Sequence, residues 1–266
     1  MRAVSITTGR QPGTLQAPEI LIVDGRFAVS LAQTEAELDQ ALKLRFEVFN
    51  LELGEGLESS YQSGRDRDQF DAICHHLIVT DRDNGKVIGT YRLQTIEMTR
   101  SWAGFYSAGE FYLRHLPQEI LNESVELGRA CIAQSHRNRQ VLFLLWKGLA
   151  QYSASLRKRY LFGCCSLTSQ DPVEGVLMSR QLTRDGHMHP TLFVPPNAGY
   201  QCAAEPDSVA RAREVKVPQL FRTYLSIGAK VCSSAAIDRR FKTIDFLVIF
   251  DVDDMDTRQR KIYFGI

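Results

Sequence analysis

Two β-rich runs, residues 72–80 and 86–96, are joined by Asp83-Asn84-Gly85, and this junction constrains the chain more than any other short stretch. Asn-Gly between such runs predicts an antiparallel hairpin, because both residues tolerate the positive φ of a tight turn. Upstream, Thr34 and Glu37 have capping-box spacing for a helix starting near Glu35. Leu38, Ala41, Leu42, Arg45, Phe46 and Phe49 fall on one face of that helix. Downstream, residues 124–133 (SVELGRACIA) predict a buried strand. An amphipathic helix marked by Val141, Leu144, Leu145, Leu149 and Tyr152 follows at once, then a fully apolar strand at 161–167 and a helix opened by Pro172. The order helix, hairpin, strand, helix, strand, helix predicts a mixed α/β fold around one core.

Residues 1–26, rich in Gly, Pro and Thr, read as a poorly structured lead-in, and residues 27–185 as the core. Residues 186–266 read as a C-terminal extension packed on the same core. Prolines punctuate its first part, a short helix follows at 219–227, and a last strand runs over 245–252. The 32 Lys+Arg nearly cancel the 31 Asp+Glu, which argues against a nucleic-acid binder. No apolar run approaches the roughly 18 residues of a membrane span, and the N-terminus lacks a signal-peptide core, so the expected location is cytoplasmic. The six cysteines form no C-x-x-C pair and have no His at zinc spacing, so inert thiols and no metal are expected.

Chemistry is suggested by charges inside apolar elements. Arg45 lies on the apolar stripe of the first helix, Arg92 inside the second hairpin strand, and Glu126 and Arg129 interrupt the strand at 124–133. A buried charge costs several kcal/mol unless it is paired, so these residues form either an ion-pair network or a functional site. Glu126 and Arg129 would face opposite sides of a regular strand, and Gly128 between them could host a bulge that re-aims one of them. Asp68 and Asp71 flank Phe70 just ahead of the hairpin.

Other motifs carry less. His76 and Asp81 have an H-x-x-x-x-D spacing, but a β-run ending at a hairpin does not bring the two groups together. His187-Met188-His189 has no acidic or Cys partner nearby in sequence. No G-x-S-x-G, Walker or G-x-G-x-x-G motif is present.

In order, LRFEVF, DRDQFD, HHLIVTDRDNGKVIGTYRL, VELGRACIAQSHR, LLWKGL and LFGCCSL resemble the GNAT-like N-acyltransferases that make N-acyl amino acids. The likeness is to the ornithine N-acyltransferases of ornithine-lipid biosynthesis, themselves similar to acyl-homoserine-lactone synthases. It runs from about residue 36 to 183, with a weaker echo near the C-terminus. It implies a GNAT-type three-layer sandwich around a central mixed β-sheet. It also implies a (3-hydroxy) fatty acyl donor on the phosphopantetheine of acyl carrier protein, with acyl-CoA less favoured and no permanently bound cofactor. Peripheral contact with the inner face of the membrane is a further expectation. Matched to the homoserine-lactone synthases, Glu126 and Arg129 become catalytic candidates. Arg45, Phe49, Asp68, Asp71 and Arg92 become substrate-binding candidates.

The segment before the long helix, residues 134–140, lacks the glycines with which acetyl-CoA enzymes cradle a pyrophosphate. Arg137 and Arg139 there could instead hold the single phosphate of a phosphopantetheine arm. The expected reaction is attack of an amino-acid α-amine on an acyl thioester, with Glu126 taking the amine proton and backbone amides beside a bulge stabilising the oxyanion. Cys131 as a covalent nucleophile is the rival route. For ornithine, Arg45 or Arg92 would hold the carboxylate and Asp68 or Asp71 the distal ammonium. The alternatives are an autoinducer synthase and a non-catalytic acyl-carrier or lipid-binding module.

Overall fold

The computed structural model describes residues 16–99, 104–205, 208 and 214–264. Nine strands among them form one sheet: β1 (Leu21–Asp24), β2 (Phe27–Leu31), β3 (His75–Asp81), β4 (Lys86–Thr95), β5 (Ser124–Ile132), β6 (Tyr160–Leu167), β7 (Lys230–Val231), β8 (Ala236–Asp238) and β9 (Thr243–Asp251). The spatial order is β1-β2-β3-β4-β5-β6-β9-β7, with β8 also on β9. Every pairing is antiparallel except β5–β6. Parallel neighbours need a crossover, and α2 (Arg139–Ser155) supplies it.

Thr34 caps α1 (Glu35–Phe46) with the reciprocal capping box that its spacing predicts. The helix continues into a π-helical turn, Glu47–Glu52, where Leu53 N–H reaches back five residues to the Val48 carbonyl. Helices α3 (Pro172–Arg184), α4 (Gln219–Ser226) and α5 (Thr257–Phe264) complete the longer set.

Three expectations change. The lead-in over 1–26 contains β1, which pairs with β2 from Leu21↔Ser30 to Asp24↔Phe27; residues 1–15 lie outside the described residues. The hairpin between β3 and β4 exists, but Gly85 alone takes positive φ, +69°, while Asn84 does not. The loop closes through the Gly85 N–H on the Asp81 carbonyl at 2.8 Å. The C-terminal segment does more than pack on the core: β9 sits inside the sheet, paired with β6 over its length from Tyr160↔Asp251 to Leu167↔Ile244.

One sheet face is covered by α2, α3 and α4, where Leu145, Tyr152, Met178, Phe221 and Phe246 belong to one apolar cluster. The other face carries α1, whose Ala41, Leu44 and Val48 pack on Ile78, and the short turns of residues 105–121. The break in this sheet matters most. β5 and β6 pair only from Ser124↔Tyr160 to Glu126↔Phe162, although both strands continue. Beyond Glu126 they splay.

Candidate active site

The expected bulge is present one residue later than Gly128. Thr90 pairs with Cys131 and Arg92 with Gly128, so Arg129 and Ala130 together oppose Tyr91. Arg129 itself adopts φ +50°. Its guanidinium is thereby turned to the face that carries Arg92, where it stacks on Tyr106 and Phe241 at 4.8 and 4.2 Å.

Arg129 completes a closed circuit of alternating charge. Arg45 Nε donates to Asp66 at 2.8 Å, and Arg129 Nε donates to the same oxygen at 3.1 Å. Arg129 Nη2 reaches Asp68 at 3.1 Å, and Arg92 Nη1 joins Asp68 to Asp71 at 2.6 and 3.1 Å. Arg45 Nη1 returns to Asp71 at 2.7 Å. Three arginines and three aspartates cancel in a site where Arg45 and Asp66 are wholly buried. Burial opposes the charge on Asp71, yet Arg45 and Arg92 hold its carboxyl well below the ordinary value, and Arg92 and Arg129 lower that of Asp68. The two aspartates also close a reciprocal cap, Phe70 N–H onto Asp68 and Asp68 N–H onto Asp71, each 2.8 Å.

In this ring the substrate-binding candidates Arg45, Asp68 and Asp71 are each paired with charged neighbours. Asp66, the sixth member, went unread because loop aspartates carry no periodic signal. Arg92 differs from the others. Its Nη2 is buried with no hydrogen-bond partner among the described residues, and the side chain lines a cavity of about 300 Å³.

That cavity occupies the splay. Tyr91 and Arg92 are adjacent on β4 and face opposite sides, yet both line it, as do Leu161 and Phe162, and Cys164 and Cys165. It therefore reaches both faces of the sheet. On the α2 side its wall is apolar, with Trp146, Leu161, Phe221, Tyr224, Val248 and Phe250. On the α1 side it is polar, with Arg92, Gln94, Glu126, Arg129, Glu55 and Asp245, beside Phe49 and Phe241. Phe49 stacks edge-on against Phe241 at 5.4 Å.

Glu126 sits where the two halves meet. Its oxygens accept the backbone N–H groups of Tyr106 and Ser107 at 2.7 and 2.8 Å. Burial raises its pKa above the ordinary glutamate value, and the Ser107 and Tyr106 donors and Arg92 offset part of the rise. A fixed carboxylate with elevated basicity can accept a proton from an amine. Past Glu126 the β6-side edge of β5 has no strand partner, so backbone amides are available beside the same carboxylate.

The remaining candidates separate. Arg137 is bound by Glu52 and by the Ile132 carbonyl at 3.1 Å, whereas Arg139 is exposed at the start of α2. Burial pushes the Cys131 thiol up to about 12, and it does not line the cavity, which removes the nucleophilic rival. His76 contacts the Asp71 carbonyl at 3.1 Å while Asp81 is paired with Arg26, so the H-x-x-x-x-D spacing assembles nothing.

The family model for the acetyltransferase (GNAT) domain matches residues 44–147. A solved N-acyl amino acid synthase from uncultured soil microbes shares the fold, with a TM-score of 0.55 at 8% identity over 86% of this chain and 94% of that one. An L-ornithine N(alpha)-acyltransferase of Brucella abortus is 31% identical, covering 90% of this chain and 89% of the relative. Another from Agrobacterium fabrum is 29% identical over 91% and 86%. The fold and these relatives define an acyltransferase of the GNAT class. More narrowly, the chain belongs to the L-ornithine N(alpha)-acyltransferase family.

Proposed function

We propose that the protein transfers a fatty acyl group from acyl carrier protein to the α-amine of ornithine, in aminolipid synthesis. The observation that carries this reading is the cavity through the β5–β6 splay, apolar on one face and charged on the other, with Glu126 at the junction. The apolar half suits an acyl chain or the arm that delivers it. Trp146 Nε1, buried there without a partner among the described residues, offers a donor to an arm that carries amide carbonyls.

In the polar half, the acceptor's α-carboxylate would meet Arg92 Nη2, a buried ring guanidinium nitrogen with no hydrogen-bond partner among the described residues. The ring holds that guanidinium in place through Asp68 and Asp71. The amine attacks the thioester carbonyl, forming the C–N bond, and Glu126 takes the proton. Collapse of the tetrahedral oxyanion breaks the C–S bond, and the carrier thiolate leaves as the thiol by taking back the proton held on Glu126, with unpaired β5 amides stabilising the oxyanion. Arg139, without an ion-pair partner among the described residues, is the cation at the α2 start for a phosphopantetheine phosphate; Arg137 would have to leave Glu52 to join it.

Purified protein should be incubated with 3-hydroxyacyl carrier protein or the matching acyl-CoA, and with ornithine, and the products read by mass spectrometry. Nα-acyl ornithine formed faster from the carrier-protein donor is the expected result. Acyl lactone as the product, or no product, overturns the reading.

A further inference from the structure

Besides Glu126 and the Arg26-paired Asp81, four buried carboxylates remain outside the ring. Glu110, Asp238 and Asp245 bring oxygens within 4.8 Å of one another, and Glu55 joins Asp245 on the cavity wall. None of the four has a salt-bridge partner among the described residues; Arg129, which acts on Glu55 and Glu110 from a distance, is committed to Asp66 and Asp68. Glu110 has the Cys164 thiol at 3.8 Å, and the other three are contacted by hydroxyls and amides. Ser166 and Thr243 donate to Asp245, Thr168 donates to Glu55, and the Arg240 and Phe241 N–H groups donate to Asp238. Without a cation, burial keeps Glu55, Glu110 and Asp245 inclined to hold protons rather than charge.

A separate feature indicates what brings it. Arg92 and Gln94 line the same cavity, and Arg92 Nη2 and Gln94 Oε1 are buried without partners among the described residues, Gln94 being held by its amide nitrogen on the Gly104 carbonyl at 3.0 Å. One unmatched donor from a cation and one unmatched acceptor fit the carboxylate and amine of an amino acid. The acidic wall then faces whatever the side chain carries.

We infer that Asp245 and Glu55, backed by Glu110 and Asp238, form the pocket for the distal ammonium of a diamino-acid acceptor. This rests on the acyl-transfer reading and names its specificity determinants, moving the ammonium site from Asp68 and Asp71 to β9 and to the loop after the π-helical turn. Burial already pushes Glu55 up to about 7 and raises Asp245, so an incoming ammonium gains carboxylates that ionise around it. An acceptor without the distal charge leaves the acidic wall unmatched, the kind of mismatch that a buried polar site rejects strongly.

The test compares ornithine, citrulline and norvaline as acceptors for wild type, Asp245→Asn and Glu55→Gln, with melting curves to confirm folding. Wild type should favour ornithine over both uncharged acceptors by about 10²-fold or more in kcat/KM, and each variant should shrink that ratio at least tenfold. A wild-type ratio near one overturns the pocket while acyl transfer stands. Failure to acylate any of the three overturns the acyl-transfer reading itself. A ratio that survives in folded Asp245→Asn and Glu55→Gln assigns the ammonium elsewhere and also overturns the pocket. Should Asp245→Asn fail to fold, Glu55→Gln and the wild-type acceptor series decide. A stoichiometric divalent metal in the purified wild type, lost in Asp245→Asn, would show a metal site in its place.

Discussion

The Tyr106 backbone N–H donates to Glu126 Oε2 at 2.7 Å, so a turn some twenty residues upstream aims the carboxylate at the mouth of the β5–β6 splay. With the Ser107 N–H on the other oxygen, Glu126 cannot rotate away from the cavity. Tyr106 also lies beneath both Arg92 and Arg129, at 5.2 and 4.8 Å, which ties the Glu126 carboxylate to the charge ring.

Glu126→Gln should lower kcat by roughly 10²–10⁴ with little change in donor KM, the usual worth of a general base. One amide oxygen still accepts, but the amide nitrogen faces an N–H donor, so stability should fall by about 1–2 kcal/mol. Rapid-quench kinetics and urea titration check both. Near wild-type turnover would remove Glu126 from the chemistry.

Arg45→Met should be far more damaging to the fold than to any single contact. It leaves Asp66 and Asp71 buried and short of a partner, a loss of about 3–5 kcal/mol. The exposed pair Arg184–Asp185 is the control, and Arg184→Ala should leave the urea midpoint unchanged. Equal midpoints for the two variants would show that the ring is not held as described.

Gly163→Ala should strain the splay directly. An added Cβ would meet the Leu127 carbonyl oxygen at 2.2 Å, and neither backbone can yield cheaply. Overpacking of this kind costs about 1–3 kcal/mol, and the cavity shape should change with it. The readout is a lowered melting temperature together with a raised KM for the acyl donor.

The pH dependence of stability should carry two opposite signatures. Asp68 and Asp71 are held below their unfolded values, so their contribution is present above about pH 4 and is lost on acidification. Glu55 behaves in reverse. Between its unfolded value near 4.3 and about 7, the folded chain keeps a proton that the unfolded chain has released, so stability falls as pH rises. Glu55→Gln removes that penalty and should gain on wild type by up to about 3 kcal/mol between pH 4 and pH 8. Urea titrations at the two pH values test it; parallel curves would place Glu55 in contact with solvent.

Arg139→Glu should raise KM for acyl carrier protein several-fold and weaken its salt dependence while leaving the ornithine KM alone. Steady-state kinetics at two salt concentrations test this. Equal effects on both substrates would place the role of Arg139 away from the donor.

Local pattern was enough for the elements that local forces decide. The Thr34–Glu37 box starts α1 because both partners lie within one turn. The apolar runs at 124–133 and 161–167 are strands because continuous apolar sequence of that length must be buried. A charge inside such a run is a flag readable without coordinates, and it marked Arg45, Arg92, Glu126 and Arg129. The same flag stands on Asp245, inside the apolar run of β9, where it went unread. What only the tertiary structure decided is the use of those charges. Asp66, Asp68 and Asp71 meet Arg45, Arg92 and Arg129 across separations of 21 to 63 residues, and sequence spacing carries no record of such distances. Five of the flagged or matched residues are therefore paired within the ring, and the polar cavity wall also holds Gln94, Glu126, Glu55 and Asp245. The splay has the same origin: strand pairing ends at Glu126 and Phe162 through the packing of two strands from opposite ends of α2, which neither strand specifies alone.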